Sequence, residues 1–218
     1  MRDQYHDELD AITASLVDIT RLAGSAINRA TQALLDADVQ SAESVISGDA
    51  AIDQLYADIE TRAMDLLARQ QPVASDLRAI VTSLRMVADI ERMGDLALNI
   101  AKVARRRYPA SAIPPPLHAT VLEMGQVAQR IVTKCSSVIA GRDLDVAAEL
   151  ERDDDVMDEL HRRLFTVLLD PQWAGGVESA IDVTLCGRYY ERFCDHAVSV
   201  ARRVIYLVTG ERVDSVDA

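Results

Sequence analysis

Apolar side chains recur along the chain at the interval of an α-helix. Near the start they stand three or four positions apart, at Leu9, Ile12, Leu16, Ile19, Ala23, Ala26, Ala30 and Leu34. A stripe with this spacing lies on one face of a helix and is typical of a helix packed in a bundle. The chain is therefore predicted to be all-α, with helices that bury one face against their neighbours.

The prolines separate the segments that carry this pattern. All six of them fall between long stretches without proline, as helix interiors require. These stretches predict six helices, at residues 7–37, 38–69, 75–107, 117–140, 143–169 and 176–208. Asp38 is the predicted N-cap of the second helix, and Gly141 and Gly210 are predicted C-caps of the fourth and sixth.

The second half of the chain repeats the first. DADVQSA at 36–42 is matched by GRDLDVA 105 residues later, and ERMGDLALNIA at 91–101 is matched by ERFCDHAVSVA 100 residues later. The slip of five falls in a loop between helices, where changes of length are tolerated. The prolines at 114–116 form the linker. The sequence thus predicts two tandem, pseudo-symmetric three-helix bundles, at residues 1–110 and 117–212.

Composition and charge limit the kinds of partner and location expected for the chain. The net charge is −12, whereas a protein that binds nucleic acid usually carries a basic face, so no nucleic acid is expected. The polar first residues do not resemble a signal peptide, and no apolar run reaches the ~20 residues that a membrane span needs, so no direct membrane insertion is expected. An odd number of cysteines without a CxxC pair favours a cytoplasmic location. Long bundles with spare apolar faces also suggest a homodimer.

The candidate chemistry lies in pairs of acids four residues apart. Such residues share a helix face, and their carboxylates repel unless a cation bridges them. Chance supplies roughly five or six such pairs among the 35 acids, and the sequence has ten, so one pair alone is weak evidence. Four of the ten, however, occupy equivalent positions in the two repeats. They are Asp49/Asp53 with Asp154/Asp158, and Glu91/Asp95 with Glu191/Asp195.

Two readings of these acids stay open at this stage. Carboxylates are ligands for hard cations, so facing pairs on neighbouring helices predict metal sites. Apolar residues surround the pairs on the third and sixth helices, and acids in such surroundings need a partner. Arg92 and Arg192 offer the alternative, a structural network of ion pairs.

The same segments resemble a known family. DIERMGDLALNIAK at 89–102 and YYERFCDHAVSVARRVIYLVTGE at 189–211 are similar to the paired signature of PhoU proteins, which is roughly E-R-I-G-D-H-A-x-N-I-A in each half. YHDELDAI at 5–12 and DAAID at 49–53 resemble two further elements of that family. The resemblance covers essentially the whole chain.

The resemblance implies a fold, a function and partners. PhoU proteins fold as two pseudo-symmetric three-helix bundles, and members carry metal ions on their acid-x-x-x-acid surfaces. Iron, zinc, magnesium and manganese are candidates, with Glu91, Asp95, Glu191 and Asp195 as first ligands and the acids of the second and fifth helices after them. The implied role is a non-enzymatic regulator that couples the phosphate ABC transporter ATPase to a sensor histidine kinase and holds the phosphate-starvation response off.

The chain also departs from the family pattern. Leu96 stands where the first copy usually has His, while Cys194 and Ser199 replace Gly and Asn in the second copy. The two sites are therefore expected to differ. A carboxylate-metal enzyme remains an alternative, although the Glu-x-x-His motif of di-iron bundles is absent from the sequence. A metal-free helical scaffold is the other.

Overall fold

The computed structural model describes residues 2–70 and 72–211, with side chains at 5–69 and 72–211. Within these ranges the chain forms six α-helices and no strand, which confirms the all-α class. A short 3₁₀ turn at Pro115–Leu117 precedes the fourth helix. The outer ends of the two predicted repeats, residues 1 and 212, lie outside the described residues. The helices are α1 (Arg2–Asp36), α2 (Val39–Gln70), α3 (Ser75–Arg107), α4 (His118–Gly141), α5 (Leu144–Leu168) and α6 (Gly176–Thr209).

The predicted helix bounds agree with these to within one residue, with one exception. The first helix begins at Arg2 rather than near residue 7. Tyr5 explains the difference, because it is buried and lies one turn before Leu9, so it extends the apolar stripe by a turn.

The caps repeat between the two halves. Asp38 accepts hydrogen bonds from the backbone N–H groups of Gln40 and Ser41, which confirms it as the N-cap of α2, and Asp143 caps α5 in the same way. Gly210, at φ 79°, caps α6 as predicted. The prediction for Gly141 was wrong. The left-handed residue after α4 is Arg142, at φ 54°, because the chain allows only one residue there before the Asp143 cap.

Each half of the chain forms one bundle, and equivalent helices join the two. Helices α1, α2 and α3 pack together, and so do α4, α5 and α6. Between the halves α1 packs on α4 and α3 packs on α6, so each helix of the junction meets its own counterpart. This is the predicted pseudo-symmetric pair of three-helix bundles. In the described part of the chain, no helix is long and apolar enough to cross a membrane.

Ion pairs join α3 to α6 at two places along their contact. Arg106 and Arg107, at the end of α3, both bind the carboxylate of Asp182 near the start of α6, and Asp182 is 1% exposed. Towards the other end, Arg203 of α6 donates to Asp89 of α3 at 2.7 Å. The two helices therefore run antiparallel. A charge as buried as that of Asp182 is tolerated only with such partners.

Candidate functional site

The two predicted acid pairs of the first repeat come together between α2 and α3. Burial raises the pKa of Asp49, and the charges of Asp53 and Asp95 raise it further. Burial likewise raises the pKa of Glu91, followed by the charge of Asp95. Asp49 Oδ1 lies 3.7 Å from the position that a Cβ would take at Gly94. The two predicted pairs thus form one surface, which we call the first acidic surface: Asp49, Asp53, Glu91 and Asp95.

Gly94 allows the close approach of α2 and α3 at this surface. A Cβ at Gly94 would stand 2.9 Å from Ile52 Cδ1, closer than packed carbon atoms can lie. In the second repeat the equivalent residue is Cys194, which is fully buried. Burial raises the pKa of this thiol well above its usual range, and the charge of Asp154 adds to the effect. The replacement of Gly by Cys therefore sits directly beneath the second group of acids.

The second acidic surface consists of Asp154, Asp158, Glu191 and Asp195, on α5 and α6. Burial raises the pKa of Asp154 to about 7, helped by the charges of Asp195, Asp158 and Glu191. Burial also raises the pKa of Glu191, and the charge of Asp195 adds to it. Asp154 Oδ1 and Glu191 Oε2 are buried without a hydrogen-bond partner. Four carboxylates thus face one another with some of their oxygens unsatisfied.

The run Asp153-Asp154-Asp155 divides into different roles. Asp153 turns to α4 and binds Lys134 Nζ at 2.9 Å. Asp154 faces α6 instead, where it is influenced by Asp195 and Glu191. Asp154 is therefore the member of the run that belongs to the second acidic surface, in the register predicted from the repeat.

Arginines pair with both surfaces, as the alternative reading expects. Arg92 binds Asp95 at 2.8 Å and approaches Glu91 at 3.7 Å. In the second repeat Arg188, rather than the predicted Arg192, binds Glu191. Arg188 lies one turn before Glu191 on α6. Both arginines are at least half exposed, so these pairs contribute little to stability and are easily exchanged.

The carboxylates of the two acidic surfaces are suitable ligands for hard cations, but their oxygens are not arranged around a single cation position. In residues 5–69 and 72–211, no group of three or more His, Cys, Asp or Glu side chains is arranged to hold a metal ion. The unsatisfied oxygens of Asp154 and Glu191 nevertheless offer carboxylate ligands, the kind that Mg²⁺, Mn²⁺ and iron accept. A cation would have to draw Glu191 away from Arg188. The role of these acids as ligands stays a prediction.

His161 is a neighbour of the second acidic surface that the sequence patterns did not single out. It lies one turn after Asp158 on α5, and its Nε2 is buried without a hydrogen-bond partner. Burial lowers its pKa, as does the charge of Arg188, while Asp158 and Asp195 oppose the change. The equivalent residue of the first repeat, 105 positions earlier, is Tyr56. The Asp158-x-x-His161 spacing was the signal in the sequence, and it became informative only with α6 in place.

His196, which matches the histidine of the family pattern, contacts a carboxylate of the other bundle. Its Nδ1 lies 3.1 Å from Asp89 Oδ1, between the two bundles, and the same carboxylate binds Arg203. The residue equivalent to His196 in the first repeat is Leu96, so this polar contact occurs on one side of the pseudo-symmetry axis. The departure noted at Leu96 therefore makes the junction between the bundles unequal.

Comparison with protein-family models finds one match, and it falls in both repeats. The model described as the PhoU domain matches residues 16–104 and 121–204. These two segments carry all eight residues of the two acidic surfaces.

Curated proteins and solved structures agree with this match over nearly the full chain. A protein of Mycobacterium tuberculosis named phosphate-specific transport system accessory protein PhoU homolog 2 is 52% identical, with 96% of this chain and 99% of that protein covered. The corresponding protein of Aquifex aeolicus is 37% identical over 94% of this chain and 93% of its own length. The crystal structure of PhoU from Pseudomonas aeruginosa superposes with a TM-score of 0.86 at 31% identity, covering 95% of this chain and all of that one.

Proposed function

The chain belongs to the PhoU family, and on this basis we propose that it is an accessory protein that regulates phosphate transport. Its finer role is that of a negative regulator of phosphate uptake and of the phosphate-starvation response. It acts in the cytoplasm as a non-enzymatic, metal-binding homodimer. Its partners are the ATPase of the phosphate ABC transporter and a sensor histidine kinase. The observation that carries the proposal is the match of both repeats, over nearly the whole chain, to accessory proteins of phosphate-specific transport.

The arrangement of the two bundles supports the role of an adaptor, because each bundle has its own outer face and the contact between the bundles is held by ion pairs. Ion pairs around the buried Asp182 and the half-buried Asp89 hold α3 against α6, so a partner bound to one repeat meets a fixed arrangement of the other. One face docks on the transporter ATPase and another on the kinase. The regulation then lies in which partners are held together, and no bond in a substrate is made or broken.

Metal on the acidic surfaces would add to this role by joining helices. Glu91 and Asp95 of α3 with Asp49 and Asp53 of α2 would hold one cation group, and the four equivalent acids of α5 and α6 another. When bound, the cation supplies positive charge that cancels the repulsion among these carboxylates. Unsatisfied oxygens on Asp154 and Glu191 support the second surface as the stronger of the two.

Deletion of the gene tests the regulatory role. Phosphate-regulated transcription and phosphate uptake are followed in high phosphate, in the deletion strain and after complementation with the wild-type gene. Derepression on deletion and its reversal by complementation are expected. Repression that persists in the deletion strain in high phosphate would overturn the proposal.

Purified partners test the adaptor mechanism. The transporter ATPase subunit and the cytoplasmic part of the kinase are each titrated onto the protein, and binding is followed by calorimetry. Binding of both partners to one preparation is expected. Circular dichroism of each preparation serves as the control for folding. If neither partner binds, the coupling role is wrong even where deletion changes transcription.

Elemental analysis separates the metal-binding protein from the metal-free scaffold. Purified wild-type protein is compared with Glu191→Ala, and thermal melting is followed with and without Mn²⁺, Mg²⁺, Zn²⁺ or Fe²⁺. Bound metal and a rise in melting temperature that Glu191→Ala reduces are expected. The ion pairs of Arg92 and Arg188 favour the alternative, which predicts no metal above background and no thermal shift.

A further inference from the structure

Large apolar side chains are exposed together where α5 ends and α6 begins. We call this surface the α5–α6 apolar patch: Phe165, Leu169, Val177, Ile181 and Leu185. Leu169 and Val177 are 80% and 78% exposed, and Ile181 is 54% exposed. The patch borders a groove of about 630 Å³ that is lined almost wholly by apolar residues. Contiguous exposure on this scale marks an interaction surface rather than scattered surface leucines.

The patch exists because α5 is shorter than its counterpart. Helix α2 continues to Gln70, whereas α5 ends at Leu168, the position equivalent to residue 63. The first turns of α6 therefore lack the cover that α2 gives to α3. Ile80 of α3 is fully buried, while its equivalent Ala180 is only half-buried.

We propose that this patch is the surface through which two copies of the chain associate. The proposal deepens the homodimer named under the proposed function, because it assigns the interface to the second repeat. The exposed fractions of the five side chains add up to nearly three whole residues. At about 200 Å² for a large free side chain this amounts to roughly 500–600 Å² of apolar area. Two facing patches that cover each other completely would bury ~1,100 Å² before any polar rim is counted, just above the ~1,000 Å² that a biological interface should clear.

The shape of the patch suits its own copy. Leu169 and Val177 are both mostly exposed and line the open groove, so a twofold axis can bring the same apolar side chains of two copies together. An isologous pairing of this kind closes at two subunits. Apart from Thr184, the side chains that line the groove are apolar, so two chains that each carry a charge of −12 can meet here without opposing carboxylates.

The first repeat does not offer the same surface. The residues equivalent to Phe165 and Leu185 are Glu60 and Arg85, and both are exposed. Charged side chains at these places would be buried without partners in a contact between first repeats, which costs several kcal/mol in general. Association is therefore expected to stop at a dimer held through the second repeats.

Sedimentation velocity and light scattering on purified full-length protein test the proposal. The wild-type chain is expected to be a dimer at micromolar concentration. Leu169→Glu and Val177→Glu are each expected to weaken the dimer at least ~100-fold, because the new carboxylate would be buried without a partner. Both residues are mostly exposed in the single chain, so their replacement leaves folding of the monomer intact, and circular dichroism melting checks this.

Met64→Glu is the matched control. Met64 is the residue equivalent to Leu169 and is 55% exposed, and its replacement is expected to leave the dimer unchanged. A wild-type chain that stays monomeric up to ~100 µM, or a dimer that both patch variants leave intact, would overturn the proposal. A monomer whose Val177→Glu variant loses binding to the transporter ATPase would assign the patch to that partner instead and would also overturn it. None of these outcomes depends on the deletion experiment, so a failure here leaves the regulatory role standing.

Discussion

Replacement of Asp154 by Asn is expected to stabilise the folded protein by an amount that depends on pH. Burial and three neighbouring carboxylates raise its pKa to about 7, so the folded protein binds this proton more tightly than the unfolded chain does. The stability that this proton contributes is fully present below about pH 4 and is lost as the pH rises through about 7. Above that pH the charged Asp154 costs stability, and Asp154→Asn removes the charge. The variant is therefore expected to be more stable than the wild type at pH 8.

The size of the effect follows from the pKa, after a discount for exposure. A pKa of about 7, against about 3.9 for an unperturbed aspartate, corresponds to ~4 kcal/mol at high pH. Asp154 is only partly buried, and solvent screens part of this energy, so we expect ~1–2 kcal/mol. For a chain of this length, 1 kcal/mol moves the melting temperature by ~2–4 °C. The expected rise is therefore a few degrees.

Thermal melting in the presence of EDTA measures the effect, at several pH values between 4.5 and 8. The rise for Asp154→Asn should be largest at pH 8 and shrink as the pH falls. Asp49→Asn is the matched control in the first acidic surface and should stabilise less, because the pKa of Asp49 is raised to a smaller extent. A rise that does not change with pH, or no rise at pH 8, would refute the argument that an uncompensated charge is the cause.

Three further predictions concern the packing of the bundles. Asp182→Ala removes a carboxylate that is 1% exposed and should cost ~2–4 kcal/mol in urea unfolding, whereas Glu178→Ala, on the exposed side of the same arginine cluster, should change little. Gly125→Ala places a Cβ 2.5 Å from Thr31 Cγ2 between α1 and α4 and should cost ~1–3 kcal/mol, while Gly141→Ala meets open space and should be neutral or stabilising. Cys135, Cys186 and Cys194 are all fully buried, and burial raises the pKa of Cys135 to about 12. A thiol reagent should therefore label these cysteines only in denaturant, and rapid labelling of the native protein would contradict their placement.

Much of the fold could be predicted because helices leave a periodic signal. The apolar stripe and the prolines fixed nearly every helix bound, and the repeat offset placed Asp49 opposite Asp154 in the alignment before any contact was known. The same offset placed the caps Asp38 and Asp143 in equivalent positions. Roles that depend on a residue's own helix were predicted in most cases, although the C-cap of α4 is Arg142 rather than Gly141.

Roles that depend on a neighbouring helix could not be predicted in the same way. Arg188 rather than Arg192 binds Glu191, which lies three residues away on the same face of α6, and the charge of Arg188 also acts on His161 of α5. His161 belongs to the site because Gly187 allows α5 to lie close to α6. A Cβ at Gly187 would stand 3.2 Å from His161 Cδ2. The apolar patch was also hidden, because the exposure of Leu169 and Val177 depends on which neighbouring helices reach them.

The second repeat has several features that the first repeat lacks. Its acidic surface contains Asp154, whose pKa is raised to about 7 by burial and by the neighbouring carboxylates. The ring of His161, beside that surface, contacts the ring of Phe165 at a tilt of 54°, with 5.0 Å between their centres. Phe165 is the first residue of the apolar patch and lies on the same helix. In the first repeat Tyr56 and Glu60 occupy these positions and are joined by a hydrogen bond of 3.5 Å, so the contact is polar and opens to solvent. The second repeat thus differs from the first at two positions of α5 and at Leu185, and its α5 ends two turns earlier. Its acidic and apolar surfaces share a helix. The first copy keeps the acids without the apolar neighbour, so the duplication supplies two acidic surfaces but one apolar contact face.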